Sequence, residues 1–415
     1  MNNEFSRSEA LRKYARFAVR VGSNVQPGQA LIITAPVTAA AFTRLCVEEG
    51  YAAGAREVVV HYKDEQVNRM RMQYAPEAVL EEAKPWIQDS YTSYVKQPGG
   101  ACLLAVISDD PEIYKGIDPA RIDRAARARA LAMTEYYEYV MNSRVQWSIV
   151  AIPSPAWSAS VFPGKAPTEA EESLWQAIFT VCRIDENDPV ENWKAPLHTM
   201  HSRADWLNGL QLDALHITSG NGTDVTIGLP KNHIWAGGSE RTPDGVEFLA
   251  NIPTEEVFTA PDRLRVEGTV HGTKPYVYHG SLIEDFVVTF HEGRVVEHHA
   301  ARGEDLLGLL LSADENAARI GEIALVPATS PINRSGLLFY NTLFDENAAC
   351  HIAFGKAYPT CVEGGDAMDD AQKMAAGLNV SNIHEDVMIG AEDTCIDGIT
   401  ADGRIVPVFR GGVWA

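Results

Sequence analysis

Four short apolar runs, each followed by a helical stretch, constrain most strongly what the first half of this chain can fold into. ALIITAP leads into VTAAAFTRLCVEEGYAAGA, whose apolar residues recur at helical spacing. REVVVHY is followed by DEQVNRMRMQYA. ACLLAVISD precedes a long helical stretch from Pro111 to about Met141, and VQWSIVAIP precedes TEAEESLWQAIFTVCRI. Strands separated by helices of this length imply a mostly parallel sheet with helices packed on it. No GxGxxG turn follows a strand and GxxxxGK[ST] is absent, so a nucleotide cofactor has no support.

The texture changes after DENDPVENWKAP, a polar stretch with two prolines that reads as a boundary. Beyond it, LQLDALHITSG and TDVTIGLP read as strands joined by a tight turn. RLRVEGTVHG, KPYVYHGSLIEDFVVTFHEG and RVVEHHAARG alternate apolar and polar residues, the pattern of antiparallel strands. EDLLGLLLSADENAARIGEIAL reads as helical for most of its length. At 415 residues the chain exceeds one ordinary core. The expected fold has two domains. Residues 1–188 form an N-terminal α/β domain with a mostly parallel sheet, and residues 189–415 form a C-terminal mixed α+β domain carrying the metal site.

Charge narrows the functional classes. The chain has 56 acidic and 35 basic side chains, a net charge of −21. Nucleic-acid binding rests on cationic contacts with phosphate, so it is not expected here. Binding to an anionic membrane surface is disfavoured on the same ground, and no run approaches the roughly 18 apolar residues of a spanning helix. The opening MNNEFSRSEALRKYARF has no apolar core followed by a small-residue cleavage site. Six dispersed cysteines form no CxxC pair. The expectation is a cytoplasmic protein with reduced thiols.

The chemistry-bearing residues lie in the second half. In order they are Glu256, Glu322, Glu346, His351, His384 and Asp386. Four carboxylates and two imidazoles are oxygen and nitrogen donors, enough for two divalent ions of the Zn, Co, Mn or Mg kind. A metal pair of this type serves hydrolysis by acidifying water and polarising the group attacked. His384 and Asp386 are two apart, so on an extended segment both point to one face. Glu346 and His351 are five apart, about 140° on a helix, so joint ligation needs a loop or a helix end. Glu322 precedes an apolar run, where an isolated buried charge would need a partner. Each residue taken alone also fits an ordinary structural role.

Other clusters are weaker. HEGRVVEHHA lacks the HExxH form because position 295 is valine, so His298 and His299 read as a solvated strand edge. His198 and His201 lack a carboxylate at ligand spacing and read as a surface helix. Ser219–Gly222 has no GxSxG form. Cys350 precedes His351, but neighbours on a strand point apart.

Several segments together resemble one family. NIPTEEVFTAP, RIGEIALVP, LFDENAACHIAFGKAYP and HEDVMIG fall in the order and at about the separations found in the aminopeptidase T/aminopeptidase S metallopeptidases. GSNVQPGQALIITAP, GYAAGAREVVVHY, GNGTDVTIGLP and FRGGVWA extend the resemblance over nearly the whole chain. The resemblance implies a dinuclear metallo-aminopeptidase that removes the N-terminal residue of peptides with a free amino terminus, apolar residues prominent among those accepted. It implies that Glu256, Glu322, Glu346, His351, His384 and Asp386 hold the metals, with Glu256 either a ligand or the general base and Glu255 a less certain neighbour. Tyr358 in GKAYP would sit beside the metals and bind the reacting carbonyl. A homodimer is also implied. Another dinuclear amidase or dipeptidase, or a non-catalytic metal- or peptide-binding protein, are the alternative readings.

Overall fold

The computed structural model describes residues 6–108, 110–185, 187–278 and 281–415. The chain divides into two compact units. The first runs to Pro196 and includes Ser239–Pro253; the second holds Leu197–Gly238 and Thr254–Ala415.

In the first unit, β1 (Ala30–Pro36), β2 (Glu57–Lys63), β3 (Ala101–Ile107) and β4 (Trp147–Ala151) form a parallel sheet in the order β2-β1-β3-β4. The expected strands are all present. The stretch from Pro111 to Met141 is not one helix. It holds two, Pro119–Ala132 and Thr134–Met141, interrupted at Met133, whose ψ of 17° leaves the helical region.

The polar stretch expected as a boundary is mostly the start of a 22-residue helix, Pro189–Leu210. Pro189 stands in its first turn, where a missing N–H costs nothing. Asp188 accepts a hydrogen bond from the Val190 amide at 3.1 Å, and Trp193 is fully buried. The first unit's long segment ends inside this helix, at Pro196.

The second unit is sheet-rich. A nine-stranded sheet is built from β5 (Ala214–Thr218), β6 (Asp224–Gly228), β11 (Val266–His271), β12 (Tyr276–Tyr278), β13 (Ser281–His291), β14 (Arg294–Arg302), β18 (Cys395–Ile399), β19 (Ile405–Arg410) and β20 (Val413–Trp414). A second sheet combines β7 (Ala236–Gly237), β10 (Val257–Thr259), β15 (Ile320–Leu325), β16 (His351–Gly355) and β17 (His384–Met388) in the order β17-β16-β15-β10-β7. The short hairpin of β8 (Glu240–Arg241) and β9 (Glu247–Phe248) belongs to the first unit. Among the described residues no helix is long and apolar enough to cross a membrane.

Residues 304–325 depart from the expected helix. Only Glu304–Leu311 is helical; a turn follows, then β15. Asp314 accepts from the Asn316 amide at 2.9 Å and holds that turn. All six residues of β15 are buried, which suits an inner strand covered on both faces better than an amphipathic helix.

The register of this second sheet aligns one face. Glu322 lies opposite Ala353, and Ala353 opposite Asp386. Gly355 lies opposite His384, Ala324 opposite His351, and Phe258 opposite Ala324. Residues paired across a ladder share a face, and so do residues two apart on one strand. Glu256, Glu322, His351, His384 and Asp386 therefore project from the same side, over a floor of small Ala324 and Ala353. A bulge between Ile320 and Glu322 resets the ladder by one residue.

Candidate metal centre

Four strands deliver the side chains. Glu256 immediately precedes β10, Glu322 sits on β15, His351 opens β16, and His384 and Asp386 lie on β17. The extended reading of SNIHEDVMIG holds, with both polar residues on one face. Glu346 stands in a short 3-10 turn, Glu346–Ala348, after the helix Thr342–Asp345. It is a helix end, the kind of position that joint ligation with His351 at a five-residue spacing would need.

His351 occupies the middle. Its Nε2 lies 3.1 Å from Glu256, 3.5 Å from Glu322 and 3.9 Å from Asp386. His384 Nε2 lies 3.8 Å from Glu322 and 3.6 Å from Asp386. The opposite nitrogens are held by backbone: Nδ1 of His384 faces Lys356 O at 2.7 Å, and Nδ1 of His351 faces Ala349 O at 3.2 Å. Those contacts aim both Nε2 atoms into the cluster.

The donors fall into two overlapping groups. Ligand atoms of Glu256, Glu322 and His351 lie within 4.8 Å of one another, as do those of Glu322, His384 and Asp386. Glu322 is common to both. The donor set fits divalent cations: each group joins one imidazole to two carboxylates, the ligand types such ions favour. Asp386 Oδ1 is buried and has no hydrogen-bond partner among the described residues, as expected of an atom aimed at a cation. Glu346 lies outside both groups, yet the charges of Asp386, Glu256 and Glu322 all reach it.

Electrostatics reinforce the fit. Glu346 is pushed well above the ordinary carboxylate range by burial and then by the Asp386 charge. Burial also raises Glu322, against a hydrogen bond from His351. Burial opposes protonation of His351, but hydrogen bonds to Glu256 and Glu322 outweigh it and raise its pKa well above the imidazole value. His384 is raised likewise: burial is outweighed by the charges of Asp386 and Glu322. Without cations the cluster therefore retains protons that a cation would displace.

Tyr358 packs beside this cluster. Its ring makes an edge contact with His384, centroids 5.3 Å apart, and a tilted contact with Phe258 at 5.7 Å. Cys350 is separate from the donors. Its thiol exchanges hydrogen bonds with the backbone of Val326 at 3.4 Å, and burial pushes its pKa up to about 11.

The other histidines among the described residues belong to neither group. His298 and His299 both face Glu304, at 2.7 and 3.5 Å. His198 is exposed on the helix Pro189–Leu210, as expected, and His201 is half-buried there. Ser219 donates to Asp393 at 2.7 Å in its turn.

Sequence reasoning missed three polar residues next to the donors, Asn347 and Asp345 buried and Glu385 half-buried. Asn347 contacts both Glu346 and the Glu255 amide. Asp345 accepts from the amides of Phe339 and Asn341, and burial pushes its pKa up to about 7. Glu385 lies between His384 and Asp386 and is pushed up to about 8 by burial and then by the Asp386 charge. The asparagine's position within DENAACH is a cue, but nothing in its spacing specifies these contacts.

Comparison with known proteins identifies the family. Residues 7–414 match the family described as thermophilic metalloprotease (M29). Aminopeptidase AmpS of Bacillus subtilis is 43% identical over 408 residues, covering 98% of this chain and 99% of that protein. Aminopeptidase T of Thermus aquaticus is 42% identical, covering 98% of each. The solved structure of wild-type AmpT from Thermus thermophilus superposes with a TM-score of 0.91 at 40% identity, covering 99% of this chain and 100% of that one. With a family match and full-length relatives on one side, and two donor groups on one sheet face on the other, the chain belongs to the thermophilic metalloprotease family M29.

Proposed function

We propose that this chain is a metal-dependent aminopeptidase whose centre takes two divalent cations. The observation that carries the reading is that the Glu256–Glu322–His351 and Glu322–His384–Asp386 groups share one carboxylate. Glu322, common to both groups with one imidazole in each, would suit a pair of ions. Glu346 completes the donor set. Zn, Co, Mn and Mg all accept these ligands.

Cations bound there supply Lewis acidity, acidifying a water and polarising a carbonyl. The residues of the chain do the rest. Glu256, at the edge of the cluster, either joins the ligands or takes a proton from the attacking water. Tyr358, packed against His384, donates its hydroxyl hydrogen to the oxyanion that forms on the scissile carbonyl. The protonated amino terminus of a peptide is attracted by the carboxylate-rich cluster, which sets the cut at the first peptide bond. Several N-terminal residues are accepted, apolar ones prominently.

A cytoplasmic homodimer completes the proposal. The six cysteines form no disulfide, and five of them are buried, which suits a reducing compartment. The family resemblance supports the dimer.

The test is hydrolysis of aminoacyl-p-nitroanilides before and after prolonged chelation. Activity should vanish on chelation and return with Co or Zn. Full activity in protein verified free of metal would refute the reading.

A further inference from the structure

We propose that Asn347 is a positioning residue of the metal centre: one buried amide holds both Glu346 and the turn that carries Glu256. The inference rests on the metal-dependent reading above. Asn347 is fully buried in the 3-10 turn Glu346–Ala348. Its Oδ1 accepts from the Glu255 amide at 2.7 Å. Its Nδ2 donates to Leu343 O at 3.1 Å and to Glu346 Oε1 at 3.3 Å. The Glu255 amide can only donate, so the amide orientation of Asn347 follows from the network.

Three consequences follow. Both Nδ2 hydrogens are used, so rotation of the side chain would leave buried polar groups unpaired. One oxygen of Glu346 is engaged, which leaves Oε2 free to face a cation. The backbone just before Glu256 is tied to the segment just before His351. Glu346 is the carboxylate outside both compact donor groups, so it depends most on being held. Partners behind metal ligands typically account for 10–100-fold in affinity.

Asn347→Asp tests this. It keeps the volume and the acceptor for Glu255, removes the donor to Glu346, and sets a second carboxylate beside it. Metal-stripped protein is titrated with Zn against a chromophoric chelator, giving affinity and stoichiometry without any assay of turnover. Asn347→Asp should weaken at least one Zn by about 10–100-fold. In a Glu346→Gln background the same substitution should cost little more, because the two residues act together. Wild-type Zn binding by Asn347→Asp, or an equal loss in both backgrounds, would overturn the proposal. Asn347→Ser is read in the same way if the aspartate variant fails to fold. If wild-type protein itself binds no Zn, the metal-dependent reading falls and this inference with it.

Discussion

His384 donates its Nδ1 hydrogen to the carbonyl oxygen of Lys356 at 2.7 Å, so its Nε2 is left to face Glu322 and Asp386. A cation at Nε2 must displace whatever proton resides there. His351, His384, Glu322 and Glu346 all have raised pKa values. A raised folded-state pKa contributes stability that is complete below the unfolded value and is lost as pH rises through the folded one. Metal-free protein should therefore unfold at a higher temperature near pH 5.5 than near pH 8. Zn affinity should run the other way, by about tenfold per pH unit for each proton displaced. Calorimetric titration in buffers of different ionisation enthalpy would count those protons. No proton release would contradict the assignment.

Substitution separates donors from bystanders. His351→Ala and His384→Ala should each lose bound metal and most activity. His298→Ala and His299→Ala should change little, since both side chains pair with Glu304 and belong to neither donor group. Metal analysis of the four purified variants checks this, and an essential 298–299 pair would move the site to another strand.

Tyr358→Phe keeps the ring that packs on His384 and Phe258 and removes only the hydroxyl. Metal content and folding should be retained while kcat falls by about 10²–10³ and KM changes less. An unchanged kcat would take Tyr358 out of the chemistry, and lost metal would make it a ligand or the support of one.

Blocking the substrate's amino group tests where the cut is measured from. N-acetylated peptides should be poor substrates beside their free counterparts. Efficient cleavage of acetylated or internal bonds, read by mass spectrometry of the products, would favour an amidase or an endopeptidase.

Gly355 faces His384 across the ladder with φ of +95°. A Cβ there would collide with the carbonyl oxygen of Ile383. Gly355→Ala should destabilise the protein by about 2 kcal/mol or more, through strain and the clash together. Urea unfolding measures it, and a neutral result would mean that the Ile383 segment yields easily.

Legibility differed between the two halves for a physical reason. Strands such as β1 and β3 are buried on both faces, so each is a continuous apolar run that stands out in the sequence. β15 is equally buried, but it follows Ala- and Glu-rich residues that favour a helix, and only the partners on either side decide otherwise. Within the site, the two-residue spacing of His384 and Asp386 is readable from strand geometry. The approach of Glu256 to His351 is not, because β15 lies between their strands and the contact exists only once the sheet has formed. Spacing alone does not single out Glu346 or Tyr358, and only the family resemblance points to them. Asn347 escaped because two of its three hydrogen bonds go to backbone atoms, one of them 92 residues away, and the third depends on the turn that it shares with Glu346.

The bulge between Ile320 and Glu322 acts as a phase shifter for the whole centre. Continued without it, the ladder begun by Ile320 and Phe354 would set Glu322 opposite Ile352. Its carboxylate would then point away from His351, since a one-residue slip turns a strand over. Gly321, in that bulge, lies against the backbone of Gly355 and Lys356, where a Cβ would not fit. Regular pairing with every residue retained would leave each donor in the chain and still dismantle the site, so the chemistry is encoded in the register of the strands as much as in the identity of their residues.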